Sequence, residues 1–468
     1  MLTTYETLFC DALDSSIPAL SDIDVTYREQ GIQAAEKQLA DYIRATLRVE
    51  DYFTIPYKGR ENVRRAPTDS ELEAAEKILE GELCSCGFSH KFSDTAHVDW
   101  ECNPTPNQYA EWTWQLSRHP EWRCLGYCYR LTGDEKYTKG FVDLMMSWCE
   151  QAECPVDAPF YQTKCWRTIE AGIRMTLNWH YAFYAFIHSP LMTDHVITTF
   201  IRSICDHGYR LRNFGSGGGN WRAMEMAGLA HISMLFPFLK NAKEWGKQAF
   251  SVLEVELDNQ IYADGFQFEL STNYHDVVVV NYHRVFATAH AMGYPVPQGL
   301  TQKLLRLFEL DINVTCPDGR YPDLNDGSRD FLAHWCGIGL NYFPDHPSLR
   351  WFATEGREGT PPAHTSVALP YSGLPSCARD GERMTSGASS MQATLAEAIS
   401  TKTSSISCSQ YTARTFCLMR ATMPTMTLPC AASCWTPVLT TVRWWMTWVR
   451  TAGIATLGGT SRWTASRG

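Results

Sequence analysis

Long apolar runs are missing from this 468-residue sequence, in which no stretch of about 18 apolar residues occurs. The sequence therefore predicts no membrane-spanning helix. The amino-terminal residues, MLTTYETLFCDALDSS, also lack the basic start and the apolar core of a secretory signal. A cytoplasmic location is the expectation that follows from these two absences.

Acidic residues are scarce near the carboxyl end. The last 94 residues contain only Asp380, Glu382 and Glu397, against nine Lys or Arg. The first 374 residues therefore hold 48 acids and 32 bases, a more acidic balance than the net charge of −10 for the whole chain. Such a surface repels nucleic acid and anionic membranes, so neither is expected as a partner. An anionic sugar polymer is not excluded, because it needs only a local basic groove.

Metal ligands at a recognisable spacing are lacking as well. Cys84 and Cys86 have no two further ligands nearby, and His275, His283 and His290 are not four residues apart on a helix. The sequence thus predicts no metal site and no cofactor. Most of the 17 cysteines are expected to be reduced and buried.

Strand-like alternation is also scarce, whereas helical patterns recur between short loops that contain Pro, Gly or Asp. Four consecutive valines from Val277 to Val280 favour a strand by themselves, but their flanks favour a buried helix. The pattern predicts an all-α toroid or solenoid preceded by a lead-in of one or two helices at 1–60. The predicted helices are 107–131, 136–151, 166–187, 192–213, 220–236, 241–262, 274–292 and 299–312.

A glycine-rich segment, GSGGGNWRAMEMAGLA at 215–230, is the first candidate site. Glycines allow a backbone to approach a ligand closely. Asn220 follows them and is either a simple helix N-cap or a functional amide. Arg222 and Glu225 lie three residues apart and are expected to pair on one face of the helix.

A second candidate site lies in DGFQFELSTNYHDVVVVNYHRV at 264–285. Ser271 or Thr272 is expected to cap the helix that contains Tyr274 and His275. Ordinary packing is the alternative interpretation of this Tyr-His pair. The 16 tryptophans likewise serve either the core or the stacking of sugar rings.

Several segments, taken in order, resemble the amino-terminal domain of the heparinase II/III group of polysaccharide lyases over roughly residues 60–374. They are WECNPTPNQYAEWTWQLSRHPEW (100–122), LTGDEKY (131–137), WRTIEAGIR (166–174), GNWRAMEMAGL (219–229), QIYADGFQFELSTNYH (260–275) and PDGRYPDLNDG (317–327). The resemblance implies an incomplete (α/α) toroid at 61–374, followed by an antiparallel β-sandwich. It also implies a cleft lined by an Asn and a later Tyr, which correspond to Asn220 and Tyr274.

The implied reaction is β-elimination at a uronate. Asn220 would donate hydrogen bonds to the uronate carboxylate, and Tyr274 would take the C5 proton, with Arg222 or His275 favouring its phenolate. The proton for the leaving oxygen would come from Tyr274 or from a histidine of the sandwich. Some relatives have a His where this chain has Trp221, so a heparan-like, an alginate-like and another uronate polymer all stay open as substrates.

Arg167, Arg174 and Arg222 are candidates for binding an anionic polysaccharide, because a guanidinium can donate two hydrogen bonds to one carboxylate or sulfate. The other candidate residues for binding the polysaccharide are Trp221, Glu225, Glu269 and His275. Two alternatives remain. One is a toroid hydrolase that uses Glu225 and Glu269 as its two carboxylates. The other is a carbohydrate-binding protein without activity. The sequence leaves the oligomeric state open, and relatives in the group are often periplasmic or secreted.

The composition changes abruptly after Leu374, where acids nearly vanish. Codons can be chosen for residues 391–407 such that the same DNA, translated two bases further on, encodes AGHFGRGHQHEDKLNF. This second translation resembles a histidine-containing segment of the group's sandwich. The same shift gives LFDAGNYAYDD from 416–427 and RAHNGAVVDDM from 437–446. We therefore hypothesise a one-base deletion just after Leu374, which the DNA sequence tests. Residues 375–468 would then be an aberrant, poorly ordered tail, and the lyase would be impaired.

Overall fold

The computed structural model describes residues 2–55, 66–315, 319–322, 325, 332–363, 367 and 369–372. These residues form a two-stranded hairpin and sixteen α-helices. The helices are α1 (Ile23–Gln30), α2 (Ile32–Thr46), α3 (Val49–Phe53), α4 (Asp69–Leu79), α5 (Glu111–Leu116), α6 (Pro120–Thr132), α7 (Glu135–Gln151), α8 (Thr168–Thr176), α9 (Asn178–Phe186), α10 (Asp194–Asn213), α11 (Gly219–Leu235), α12 (Ala242–Gln260), α13 (Thr272–Met292), α14 (Gln298–Val314), α15 (Leu332–Gly339) and α16 (Pro347–Ala353).

Two of the predicted helices are each divided in two. The segment 107–131 is broken between α5 and α6, where His119 takes a left-handed φ of 55° before Pro120. Proline lacks a backbone N–H and restricts the residue before it, so a new helix begins there. The segment 166–187 is broken at Leu177, with φ −154° and ψ −62°. No Pro or Gly marks this second break.

The four valines lie within α13, so the prediction of a helix for them is confirmed. Val277, Val278 and Val279 are buried. Packing on several sides of this helix offsets the weak helix propensity of β-branched residues.

Burial divides the helices into two layers. Every residue of α8 and α9 is buried, and α11 and α13 are buried along most of their length. In contrast, α12 and α14 alternate buried and exposed positions around the helix, while α10 is exposed only at His195 and Asn213 near its ends. The inner helix α11 packs against α8, α12 and α13. The prediction of an incomplete (α/α) toroid is therefore confirmed for the part of the chain that the structure describes. The β-sandwich and the tail 375–468 lie outside those residues.

The amino-terminal segment packs on the toroid, since α2 contacts α10. Asp206 of α10 accepts hydrogen bonds from the N–H groups of Leu2 and Thr3 at 3.0 and 2.7 Å. This segment has three α-helices, α1 to α3, rather than one or two. The expected boundary at residue 60 lies outside the described residues.

A short hairpin was not expected from the sequence. It pairs β1 (Glu82–Ser85) with β2 (Phe88–Lys91) in antiparallel register. Cys86 and Gly87, with φ of 49° and 69°, form its turn.

Among the described helices, none combines the length and the apolar character needed to cross a membrane.

Candidate active site

The amino-terminal halves of α8, α11 and α13 lie together at one end of the inner layer. Ile169 and Ile173 of α8, Met224 of α11 and Val277 of α13 form a small buried apolar cluster, against which Trp221 packs. The positive ends of three helix dipoles therefore face one region. That arrangement favours an anion even though the chain as a whole is acidic.

The inner helices α8 and α11 approach each other with their backbones in contact. A Cβ added to Gly172 would lie 2.6 Å from the carbonyl oxygen of Met224. A Cβ added to Gly228 would lie 2.7 Å from the carbonyl oxygen of Gly172. Only glycine fits at either position, so these two residues determine how closely the starts of α8 and α11 are placed.

The glycine-rich loop before α11 is held at both ends by buried carboxylates. The two carboxylate oxygens of Glu225 accept hydrogen bonds from the N–H of Ser216 at 3.0 and 2.9 Å. Glu256 of α12 accepts one from the N–H of Gly219 at 2.9 Å. Gly219 has a φ of 77°, in the left-handed region that favours glycine. The start of α11 is thus fixed from two directions.

Asn220 is not the N-cap of α11, so that interpretation is wrong. Gly218 occupies the N-cap position and has no side chain to cap the helix, whose first N–H, that of Gly219, is satisfied by Glu256. The Nδ2 of Asn220 instead donates a 2.9 Å hydrogen bond to Oε1 of Glu269, on the loop before α13. The Oδ1 of Asn220 is buried and has no hydrogen-bond partner among the described residues. Glu269 therefore holds the amide in one orientation, and the amide oxygen is enclosed without a partner among the described residues.

Tyr274 lies in the first turn of α13. Its backbone N–H donates to Oγ of Ser271 at 3.4 Å, which confirms the prediction that Ser271 caps this helix. Tyr274 is partly exposed, whereas its neighbours Asn273 and His275 are buried. Tyr274 and Asn220 thus lie in the first turns of two packed helices, α13 and α11.

His275 faces the opposite direction. Its Nε2 lies 3.2 Å from Oδ1 of Asp311 and 3.3 Å from the carbonyl oxygen of Leu307, both on α14. Both His275 and Asp311 are 2% exposed. The predicted contact of His275 with substrate is therefore not supported by its position, because the side chain is enclosed between α13 and α14.

Glu225 and Arg222 form the expected pair, with NH1 of Arg222 3.4 Å from Oε2 of Glu225. Glu225 is fully buried and also accepts a hydrogen bond from Oγ1 of Thr168. Burial raises the pKa of Glu225. The proposed contact of Glu225 with sugar is therefore wrong, since its oxygens already serve the loop. Arg222, 16% exposed, lies over Gly215, where an added Cβ would clash with its guanidinium.

Arg167 is paired rather than free for an anion. Its Nε and NH2 donate to the two oxygens of Glu170 at 2.7 and 2.8 Å, and both residues are buried. The guanidinium lies 3.6 Å from the ring centre of Trp114 and 5.1 Å from that of Trp221. Trp221 is half-buried and contacts Phe160 edge-on at 5.9 Å. Arg167 thus supports two aromatic rings beside Asn220.

Arg174 is a core residue, so its predicted role as a substrate anchor is wrong. It is fully buried, and its Nε donates to Nε2 of His207 at 2.6 Å. Its NH1 donates to the carbonyl oxygens of Ser117 and Cys165 at 2.8 and 2.9 Å. Burial lowers the pKa of this guanidinium to about 9. The side chain joins α8 to α10 and to the segments that precede α6 and α8.

Three residues of this region were missed from the sequence: Glu256, Glu170 and Trp114. Glu256 could have been found, because it lies among the apolar residues Leu253 and Leu257 on the buried face of α12. A charge on such a face needs a partner.

In the part of the chain that the structure describes, no cluster of three or more His, Cys, Asp or Glu residues could hold a metal ion.

Comparison with known proteins gives one consistent family. A family model described as Heparinase II/III N-terminus matches residues 9–351. A heparin-sulfate lyase of Bacteroides stercoris is 25% identical over 383 residues, which cover 77% of this chain and 56% of the relative. A heparin-sulfate lyase of Pedobacter heparinus is 26% identical over 385 residues, covering 78% and 57%. The chain therefore spans a little over half the length of these curated relatives.

Solved structures show the same fold. The heparan sulfate lyase HepC from Pedobacter heparinus superposes with a TM-score of 0.64 at 23% identity, covering 77% of this chain and 57% of that one. A crystal structure of heparinase III gives a TM-score of 0.66 at 21% identity, with coverage of 77% and 57%. These likenesses establish the toroid, and the chemistry has to be argued from the residues.

Proposed function

Because the chain belongs to the heparinase II/III family, we propose that it is a polysaccharide lyase that cleaves a uronate polymer of the heparan sulfate type by β-elimination. The names of the two curated relatives favour heparan sulfate over alginate. The observation that carries the proposal is the side chain of Asn220, which is not the N-cap of α11 and is bonded to Glu269. It lies in the first turn of a helix that packs against α13, whose first turn contains Tyr274.

The reaction removes the proton on C5 of the uronate and expels the oxygen on C4. The C5–H and C4–O bonds break, a C4=C5 double bond forms, and the leaving oxygen takes up a proton. The C5 proton is only weakly acidic while the adjacent carboxylate is charged. Catalysis therefore needs donors on that carboxylate and a base beside C5.

Asn220 supplies a donor. One N–H of its amide is oriented by Glu269, and the other has no acceptor among the described residues. A uronate carboxylate at this position would receive the second N–H and would also face the positive ends of the surrounding helices. Both interactions strengthen as negative charge moves onto the carboxylate in the transition state.

Tyr274 supplies the base in this proposal. A phenol normally ionises near pH 10, so it acts as a base only where positive potential favours the phenolate. The start of α13 provides such a potential, because Tyr274 lies in its first turn. After taking the C5 proton, the same phenol can return it to the leaving oxygen.

The hydrolase alternative needs two catalytic carboxylates, and Glu225 cannot be one of them. Glu225 is fully buried and bonded to Ser216, Thr168 and Arg222. A general acid or base must reach the glycosidic oxygen or a water molecule, and Glu225 reaches neither. Glu269 alone does not make the required pair.

The test is an assay of a panel of uronate polysaccharides: heparan sulfate, heparin and alginate. The sequence as printed and a frame-restored chain are assayed side by side. We expect ultraviolet-absorbing unsaturated uronate products from heparan sulfate. New reducing ends without that absorbance would show hydrolysis and contradict the lyase proposal. Binding of a polysaccharide without cleavage by either chain would indicate a carbohydrate-binding protein without activity.

A further inference from the structure

Three fully buried side chains in the core of the toroid each have a nitrogen atom without a hydrogen-bond partner among the described residues. They are Arg174 through NH2, His119 through Nε2 and Trp148 through Nε1. Buried polar groups in folded proteins are nearly always paired with protein, water or an ion. Three such atoms in one part of the core therefore point to a bound partner.

The three side chains are in contact around Trp148. The ring centre of Trp148 is 4.3 Å from that of His119 and 4.8 Å from the guanidinium carbon of Arg174. Arg174 also donates through NH1 to the carbonyl oxygen of Ser117, two residues before His119. The three nitrogen atoms thus belong to one small region and not to separate places in the core.

The hydrogen bonds of two histidines determine where the protons lie in this region. Nε1 of Trp179 donates to Nδ1 of His119 at 2.8 Å, and burial lowers the pKa of His119 well below its usual value. The neutral ring therefore has its proton on Nε2, which makes that nitrogen a donor. His207 accepts from Nε of Arg174 at 2.6 Å, and burial lowers its pKa as well. The three nitrogen atoms are thus all donors, and Arg174 is the cation among them.

The acidic groups near Arg174 do not neutralise its charge. Both carboxylate oxygens of Glu170 accept from Arg167, and one of them also accepts from Arg118. The other acidic groups that act on Arg174 are the thiols of Cys149, Cys154 and Cys165. Burial raises the pKa of each of these thiols to about 12, so they are uncharged. A buried guanidinium without a counter-ion is costly, so an ion from solvent would stabilise it.

A small monovalent anion matches these groups in charge and in hydrogen bonding. It accepts from all three donors at once, whereas a water molecule must also donate two hydrogen bonds. One negative charge balances the guanidinium of Arg174, whereas a divalent sulfate or phosphate would leave an excess charge in the core.

We propose that the core around Arg174 binds a chloride ion, which accepts hydrogen bonds from NH2 of Arg174, Nε2 of His119 and Nε1 of Trp148. His119 directly precedes α6, Trp148 belongs to α7 and Arg174 to α8, and Arg174 is bonded to His207 of α10. The ion therefore joins four helices of the toroid, and chloride stabilises the folded chain. The site contains neither Asn220 nor Tyr274, so it does not depend on the proposed function.

The first experiment measures the free energy of unfolding in urea while sodium chloride replaces sodium gluconate at constant ionic strength. Urea is used because guanidinium chloride would itself supply the ion. Once chloride exceeds its dissociation constant, we expect each tenfold rise in chloride to increase the folding equilibrium constant about tenfold. Arg174→Met removes the charge and should abolish this dependence.

Trp148→Phe is the milder variant, because it retains a ring and removes one donor. It should need about tenfold more chloride for the same stabilisation, since one hydrogen bond to an ion is lost. The matched control is Trp335→Phe, at a buried tryptophan of α15. That variant should keep the chloride dependence of the parent.

The second experiment locates the ion. Crystals of the chain grown with sodium bromide should show an anomalous bromide peak within hydrogen-bond distance of the three nitrogen atoms. A water molecule there without anomalous signal would overturn the site. So would a parent chain whose stability does not respond to chloride, or a response that Trp148→Phe shares unchanged with Trp335→Phe. If Arg174→Met does not fold, Trp148→Phe and the bromide crystals still decide the question.

Discussion

Asn220 and Glu269 are joined by a 2.9 Å hydrogen bond between Nδ2 and Oε1, although 49 residues separate them in sequence. Gln267 donates to the same oxygen of Glu269 at 3.1 Å, so the carboxylate is itself held in place. The bond fixes the plane of the Asn220 amide at the start of α11. Glu269 therefore orients the amide, which is a different role from the acid of a hydrolase.

Replacing Asn220 by Ala removes the amide donor without burying a new group. We expect kcat for elimination on heparan sulfate to fall about 10²–10³-fold, the usual cost of losing one donor to a developing negative charge. Absorbance of the unsaturated product measures it, in the frame-restored chain if the printed chain is inactive. Asn341→Ala, at an exposed Asn, is the matched control. Equal activity of both variants would remove Asn220 from the mechanism.

Tyr274→Phe deletes one oxygen and retains the ring. We expect the unsaturated product to disappear while the circular dichroism spectrum and the melting temperature stay those of the parent, because only the proton-transferring group is lost. Tyr42→Phe on α2, in the amino-terminal segment, is the control and should retain full activity. A fully active Tyr274→Phe chain would end the assignment.

Glu256 is expected to act through the loop that precedes Asn220. Glu256→Ala leaves the N–H of Gly219 and the Nε2 of Gln260 without their acceptor, so kcat should fall with little change in KM. Glu256→Gln retains an oxygen acceptor and should restore part of kcat. Glu254, also on α12, contacts Lys303 of α14, and Glu254→Ala should leave kcat unchanged. A loss confined to melting temperature would assign Glu256 to stability alone.

Gly172→Ala tests the backbone contact between α8 and α11. The added methyl would lie 2.6 Å from the oxygen of Met224, and we expect the free energy of unfolding to fall by about 1–3 kcal/mol. Gly337→Ala in α15 is the control, since no atom lies within 4 Å of its added Cβ. Helix propensity alone should leave that variant neutral or up to about 1 kcal/mol more stable. Chemical denaturation of both variants gives the comparison.

Glu121 should make stability depend on pH. Burial raises its pKa to about 8, and its Oε1 has no hydrogen-bond partner among the described residues. The unfolded chain ionises this group at its ordinary pKa of 4.5, so stability is lost as pH rises from 4.5 to 8. Between pH 4.5 and 8, the stability of Glu121→Gln relative to the parent should therefore increase, by at most about 1.4 kcal/mol per pH unit. Denaturation curves should show that the free energies of unfolding of Glu121→Gln and the parent differ by a constant amount below pH 4.5. A difference that stays constant at every pH would refute the raised pKa of Glu121.

Sequence patterns predicted α11 and α13 well because both helices have local start signals. Ser271 and the glycine-rich segment mark the starts of α13 and α11. The break at Leu177 carries no such signal, since neither Pro nor Gly occurs there. It depends on packing between distant elements, which local propensity does not encode.

The candidate site was predictable only in part, for a related reason. Asn220 and Tyr274 were predicted by type and order; both lie in first turns of helices, and their roles stay predictions. Arg174, Glu225 and His275 have the same chemical character as cleft residues but are buried in internal pairs. Whether a charged side chain on an inner helix faces the cleft or a neighbouring helix depends on rotation of that helix, which a single sequence leaves undetermined.

The contact between Gly172 and Gly228 also limits how the cleft can move. With the two backbones touching, α8 and α11 cannot slide or separate without opening a void, so the wall that contains Arg167 and Asn220 behaves as one rigid body. Any opening that admits a long polymer would therefore move α8 and α11 together.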